Sequence, residues 1–273
     1  MAKRSARDTA KRAAQKPQPR QRVAAVRPWD WADVIWVAVA LLIARFLMVL
    51  MVGNPFTALM PDEGVVGVRI VMLIVFYLMI LAVLAYRAHC RNLSFAEAYR
   101  LKKPISENAP LSTPEGTGNE KKHWSAWKVV LLVAVAFLVL RTIATLYTWA
   151  TREFGWVTPP AQTLTDLFGP SLWGLIAAIV TIVVLAPFIE ELVFRVIMFD
   201  TFARNLSISA AVLLQGLIFS LYHFSLWAAI PNFLLALGCV FLIQRCKTAI
   251  PAVVLHVLYN ATVVAAAFYI AMV

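Results

Sequence analysis

Charged residues are scarce in this chain. They make up 14% of its 273 residues, whereas apolar residues make up 62%. Water-soluble domains are closer to about one quarter charged and about one half apolar. A single core of this size cannot bury so much apolar surface, which excludes a water-soluble fold. The apolar residues instead gather into runs that match the about 20 residues of a spanning helix. The sequence predicts an all-α, polytopic transmembrane bundle of about seven to eight helices with a polar intramembrane pocket.

Cysteine is equally scarce, and its spacing excludes two classes of site. Cys90, Cys239 and Cys246 are the only cysteines, and no C-x-x-C pair occurs. An odd number without paired spacing argues against a disulfide framework or a thiolate metal site. We interpret all three as free thiols that pack as small apolar residues.

Acidic residues are nearly absent from the N-terminal tail. Residues 1–27 hold nine Lys or Arg and a single acid, Asp8. This composition predicts a basic disordered cytoplasmic tail over residues 1–28. Positive residues of this kind remain on the cytoplasmic side of a membrane, and they also attract anionic lipid headgroups. Nucleic-acid binding is not predicted, because no aromatic residues are interleaved with the charge.

Seven apolar runs follow this tail. They cover residues 31–52, 68–86, 129–149, 171–188, 207–224, 230–244 and 251–273. A polar helical stretch at 189–205 either extends the fourth run or forms a re-entrant eighth helix. We divide the chain after the tail into N-terminal transmembrane helices, 29–165, and a transmembrane core, 166–273.

The basic segments predict the topology. Besides the tail they are a flexible loop at 87–128, the stretch 195–204 and the turn 245–247. Seven spans with a cytoplasmic N-terminus put all of them on the cytoplasmic side. A multi-pass protein of a bacterial inner membrane is therefore expected.

The first group of ionisable residues at bilayer depth is Glu190-Glu191-x-x-x-Arg195. Such residues are costly inside a membrane and usually functional. Glu191 and Arg195 share a helix face and can pair, whereas Glu190 points elsewhere and is left free as a general base. Pro187 removes a backbone donor and frees the carbonyl of Val183, which predicts a kink. The alternative reading is an ordinary interfacial salt bridge.

Two further groups lie on later helices. Phe219 and His223 are four residues apart, as are His256 and Asn260, so each pair shares a helix face. Each group alone can be explained by packing or interhelical hydrogen bonding. Together with the glutamates they predict convergence on one polar pocket.

The motifs Glu190-Glu191-x-x-x-Arg195, Phe219-x-x-x-His223 and His256-x-x-x-Asn260 resemble the CPBP family. That family includes the CAAX prenyl endopeptidases and the bacteriocin-processing or abortive infection membrane proteins. The resemblance covers about residues 171–265. It implies an intramembrane endopeptidase, with residues 166–273 as the catalytic core.

The resemblance also implies a role for each motif residue. Glu190 and His223 are expected to hold and activate a water molecule, while Glu191 and Arg195 brace the site. A glutamate base and an imidazole are chemically suited to this task. The expected substrate is a peptide or protein, lipidated or leader-bearing, and the other partners are membrane lipids.

His256 and Asn260 are expected, on the same resemblance, to stabilise the oxyanion that forms at the attacked carbonyl. No serine or cysteine nucleophile is needed, and Ser220 is interpreted as a packing residue.

A metal is the mechanistic alternative. Glu190, His223 and His256 can supply the three protein ligands of a catalytic zinc. However, no H-E-x-x-H pair occurs, and the ligands come from different helices. We expect no cofactor and no metal, because Arg195 and Asn260 then have roles.

The sequence leaves open two other functions and the roles of two arginines. A non-catalytic immunity or scaffold protein and a proton-coupled transporter can both bury such polar groups. Arg45 and Arg141, inside predicted spans, can pair with each other, with Asp33 or with a core carboxylate, or can bind a substrate carboxylate.

Overall fold

The computed structural model describes residues 28–52, 62–102, 125–155 and 161–272. Within them the chain forms nine helices and no strand. The helices are α1 Trp31–Val52, α2 Asp62–Cys90, α3 Phe95–Ala98, α4 Ala126–Glu153, α5 Ala161–Phe168, α6 Leu172–Asn205, α7 Ile208–Tyr222, α8 Leu226–Cys246 and α9 Ile250–Met272. The predicted basic tail lies outside the described residues, apart from Pro28.

The apolar helices occupy the predicted runs. In the described residues, five helices are long and apolar enough to cross a membrane, namely α2, α4, α6, α8 and α9. Two shorter apolar stretches, Trp31–Ile43 in α1 and Ile208–Tyr222, complete the set. Large apolar side chains such as Trp36, Leu138 and Tyr269 point outward, as expected for contact with lipid. The predicted polytopic helical bundle is confirmed, and the protein is a multi-pass membrane protein.

The structure decides between the two alternatives for residues 189–205, and it moves the bounds of several helices, among them α7 and α8. Residues 189–205 form no separate re-entrant helix, because they continue the fourth run as the 34-residue α6. Helix α8 begins at Leu226, where the Ser225 hydroxyl accepts a hydrogen bond from the Ala228 amide. Helix α7 has only 15 residues. At 1.5 Å per residue it is about 22 Å long, less than the about 30 Å of a hydrocarbon core.

Helix α6 lies at the centre of the bundle. It contacts α1, α2, α7, α8 and α9. Every residue from 189 to 202 is buried. Glu190, Glu191 and Arg195 are among them, so the polar residues of α6 depend on the neighbouring helices for their partners.

A buried carboxylate joins α1 to α2 at the basic end of the bundle. Asp33 is fully buried and pairs with both Arg87 and Arg91, the latter at 2.6 Å. Arg91 also bonds the half-exposed Asp30 at 2.7 Å. That hydrogen bond lowers the pKa of Asp30 to about 2. The pair therefore stays ionised, and the stability it contributes is lost only as the pH falls through about 2.

The first part of the predicted loop 87–128 is ordered and packed. After α2, the buried Tyr99 donates to the Leu84 carbonyl at 2.8 Å. Arg100 pairs with Asp200 of α6 at 2.5 Å. The Arg100 carbonyl accepts hydrogen bonds from the Thr248 hydroxyl and the Ala249 amide, both at 2.9 Å.

These contacts bring the described part of the loop next to Asp200 of α6 and to the residues that follow the turn 245–247, at one end of the bundle. That this end faces the cytoplasm stays a prediction. Residues 103–124 of the loop lie outside the described residues.

We expect Asp33→Asn to destabilise the fold by about 2–3 kcal/mol, because it breaks a buried ion pair with two partly exposed arginines. The measurement is the midpoint of thermal unfolding in detergent micelles. The matched control is Asp30→Asn, whose exposed pair should contribute less than about 1 kcal/mol. Equal shifts for the two variants would contradict the structural importance of burial at Asp33.

Candidate active site

Two π-helical segments flank the paired glutamates of α6. Residues Ile179–Leu185 and Glu191–Met198 are π-helical, and Ala186–Glu190 between them is α-helical. Such π segments are rare and frequent at functional sites. Pro187 lies where α6 changes its hydrogen-bond register within a continuous helix. In this register the missing N–H of residue 187 affects the carbonyl of Ile182, and the prediction of a freed Val183 carbonyl was wrong because it assumed α-helical spacing.

Glu191 forms the buried base of the site. Its Oε1 lies 2.8 Å from Nδ1 of His256 on α9, and its Oε2 lies 3.3 Å from Nε of Arg195. All three side chains are at most 2% exposed. The predicted pairing of Glu191 with Arg195 is present, and His256 is a second partner that helical spacing alone does not indicate.

Arg195 contacts an aromatic ring as well as the carboxylate of Glu191. Its guanidinium carbon lies 3.9 Å from the centroid of the Phe219 ring. Among the described residues, its three nitrogens have no hydrogen-bond partner of good geometry. The ion pair and the cation–π contact therefore stabilise this buried cation.

Cys239 borders the same charged pair. Its thiol lies beside both Glu191 and Arg195, although the sequence indicated only a packing role. The preceding Gly238 lets α8 pack closely on its neighbours, since a Cβ there would lie 3.1 Å from Leu140 and 3.6 Å from Leu255. No spacing signal in the sequence predicts this contact.

Glu190 faces two imidazole rings from two other helices. Its Oε2 lies 4.0 Å from Nε2 of His223 and 3.7 Å from Nε2 of His256. Both distances are too long for a direct hydrogen bond. Nδ1 of His223 donates to the Phe219 carbonyl at 2.8 Å, so Nε2 of the neutral ring carries a lone pair. The predicted convergence of the three motifs is present, with room for a small hydrogen-bonding group between them.

Exposure rises across the site in one direction. The side chain of His256 is 2% exposed, that of Glu190 11% and that of His223 29%. His223 caps the end of the short α7, and Phe224 beyond it has a positive φ of 50°. The site therefore opens where α7 turns into α8.

Asn260 contacts the backbone of α6. Its Nδ2 donates to the Ile182 carbonyl at 2.9 Å, inside the first π segment. On the same helix, the ring of Tyr259 lies under Arg141, whose guanidinium carbon is 5.2 Å from the ring centroid. Within the described part of the chain Arg141 has no ion pair, and Asp33 pairs with α2 instead. The side chain of Arg45 lies outside the described residues.

Ser220 has a structural partner. Its hydroxyl donates to the Ala229 carbonyl at 2.6 Å, which ties α7 to α8. Nothing in this contact activates the hydroxyl, in line with the packing role inferred from the sequence.

Metal binding was tested against the same geometry. Across the described ranges, no three His, Cys, Asp or Glu side chains are grouped closely enough to hold an ion. This part of the chain thus offers no preformed metal-binding group, and a metal-free mechanism stays a prediction.

The motif residues all lie in the segment that comparison with known proteins identifies. No curated protein and no solved structure matches the chain. Residues 172–262, about one third of the chain, match the family described as "Rce1-like: Type II CAAX prenyl endopeptidase Rce1-like". This family implies a membrane endopeptidase that acts on a peptide substrate in a lipid environment. The resemblance stated from the motifs is confirmed: residues 172–262 of this multi-pass membrane protein are similar to the Rce1-like CAAX prenyl endopeptidases.

Proposed function

We propose that the protein is an intramembrane endopeptidase that hydrolyses a peptide bond with a water molecule activated by Glu190 and His223. The observation that carries this proposal is the approach of two imidazole Nε2 atoms to one carboxylate oxygen, at 3.7 and 4.0 Å, from three different helices. A water molecule between them can donate to Glu190 and to His223 at once. Both acceptors attract the water protons, which polarises the O–H bonds and raises the electron density and nucleophilicity of the water oxygen.

The chemistry needs no protein nucleophile. Glu190 takes one proton from the water as the oxygen attacks the substrate carbonyl, and a tetrahedral intermediate forms. The same proton then passes to the leaving amine as the C–N bond breaks. The Glu191 carboxylate stabilises positive charge on His256, which can donate from Nε2 to the oxyanion.

The substrate class follows from the family and the membrane setting. We propose a lipidated or leader-bearing peptide whose scissile bond reaches the site through the opening beside His223. The basic end is proposed to face the cytoplasm of a bacterial cell, with the protein in the inner membrane.

We expect Glu190→Gln and His223→Gln each to lower kcat by about 100-fold or more, because an amide in place of the carboxylate or the imidazole is too weakly basic to activate the water. Purified variants are assayed with a labelled prenylated peptide that ends in a C-a-a-X box, and thermal unfolding verifies the fold. Ser220→Ala is the matched control on α7 and should keep its activity.

Cleavage at the wild-type rate by both variants would contradict the assignment of the base. Retention of a cellular phenotype by Glu190→Gln, without cleavage, would support the scaffold alternative. Flux of a solute driven by a pH gradient would support the transporter.

A second prediction concerns the metal alternative. Incubation with a metal chelator, followed by its removal, should leave the cleavage rate of the prenylated peptide unchanged, because water activation is assigned to protein groups. Loss of activity that zinc alone restores would contradict this mechanism.

A third prediction concerns the bracing role of Arg195. Arg195→Lys keeps the charge but loses the planar group over the Phe219 ring, so Glu191 and His256 are held less rigidly. We expect kcat to fall by about 10- to 100-fold. Arg204→Lys, at the exposed end of α6, is the matched control and should behave like the wild type. Unchanged activity in Arg195→Lys would show that the stacked guanidinium is dispensable.

A further inference from the structure

The first π segment of α6 creates a backbone problem at Ile182. The Ala186 amide donates to the Thr181 carbonyl, five residues earlier. In this register the next carbonyl, that of Ile182, would accept from residue 187. Residue 187 is proline and has no N–H. Inside a membrane bundle a carbonyl without a donor is costly, so another group has to supply the hydrogen bond.

The side chain of Asn260 supplies it. Its Nδ2 lies 2.9 Å from the Ile182 carbonyl oxygen, and Asn260 is half-buried on α9. Asn260 follows His256 by four residues and so shares its helix face. Helix α9 is therefore attached to α6 at two heights, through His256 to Glu191 at 2.8 Å and through Asn260 to Ile182.

We propose that Asn260 is a positioning residue whose side-chain amide replaces the backbone donor that Pro187 lacks. By completing the hydrogen bonding of the π segment, it fixes the rotation of the following turn of α6. Glu190 lies in that turn and must face both imidazole rings. The effect of Asn260 on the hydrogen bonding of α6 is independent of the protein's activity, whereas its effect on catalysis rests on the proposed function.

This role differs from the oxyanion contact that the family resemblance implies for Asn260. The two roles predict opposite behaviour when residue 187 regains an N–H. A backbone donor at 187 serves the Ile182 carbonyl in the π register. In the α register the Ala186 amide serves it, so Asn260 is dispensable for the helix in either case. An oxyanion donor, by contrast, cannot be replaced by a change at residue 187.

The test compares four proteins: the wild type, Asn260→Ala, Pro187→Ala and the double variant. We expect Asn260→Ala to lower the midpoint of thermal unfolding by about 3–10 °C, because the Ile182 carbonyl loses its donor. Its kcat should fall by about 10- to 100-fold with little change in KM, because Glu190 is misplaced. In the Pro187→Ala background, the substitution of Asn260 should cost far less in both measurements.

The control on the same helix is Thr262→Val. The Thr262 hydroxyl donates within its own helix, to the Tyr259 carbonyl at 2.7 Å, so its loss should leave the midpoint and kcat nearly unchanged. If Asn260→Ala does not fold, recovery of folded protein by Pro187→Ala is the supporting result, and failure to recover it overturns the proposal.

The outcomes separate this proposal from the proposed function. Asn260→Ala could lower the unfolding midpoint equally in the wild-type and Pro187→Ala backgrounds. This result would overturn the positioning role whether or not the protein is a peptidase. A restored midpoint without restored kcat would overturn it too, in favour of direct contact with the oxyanion. A third outcome is that Asn260→Ala lowers the unfolding midpoint less in the Pro187→Ala background, while the wild type does not cleave the prenylated peptide. That result would support the structural role and count against the proposed function.

Discussion

The buried contact between Glu191 on α6 and His256 on α9 is the constraint on which the rest of the site depends. Two polar side chains at this depth are tolerable only as partners of each other, and their 2.8 Å contact fixes how the two helices meet. Arg195 balances the carboxylate, and the Phe219 ring covers the guanidinium. Because Glu191 holds Nδ1, the opposite nitrogen of His256 is directed at Glu190.

The adjacent glutamates thus have separate tasks although they differ by one position. Glu191 is enclosed and bound, whereas Glu190 lies 3.7 and 4.0 Å from the two imidazole nitrogens, beyond hydrogen-bonding distance, on the side that opens. Their rotation about the helix axis produces this division. Neither task could be exchanged without rebuilding the neighbouring helices, since each carboxylate meets partners from different elements.

Hydropathy and residue spacing predicted the apolar runs and the motif residues that meet, because both depend on patterns local to the chain. The π segments could not be predicted, since hydrogen-bond register leaves no trace in hydropathy. Nor could the pairing of Asp33 with Arg87, whose 54-residue separation carries no helical periodicity. Polar composition suggested a flexible loop from residue 87, yet Tyr99 and Arg100 are anchored by contacts with distant residues. The bond from Asn260 to a backbone carbonyl likewise depends on how two helices are aligned.

The short α7 has a consequence for the lipid around it. With about 22 Å of helix against about 30 Å of hydrocarbon, α7 is several ångströms too short to span the hydrocarbon core along the membrane normal. The bilayer has to become thinner locally, so that headgroups and water reach the backbone of the turn after α7, because hydrocarbon cannot solvate its polar groups. The bilayer is then thinned beside the opening, so that, on the proposed function, the water and the charged termini formed by cleavage can exchange with bulk solvent without a separate channel through the protein.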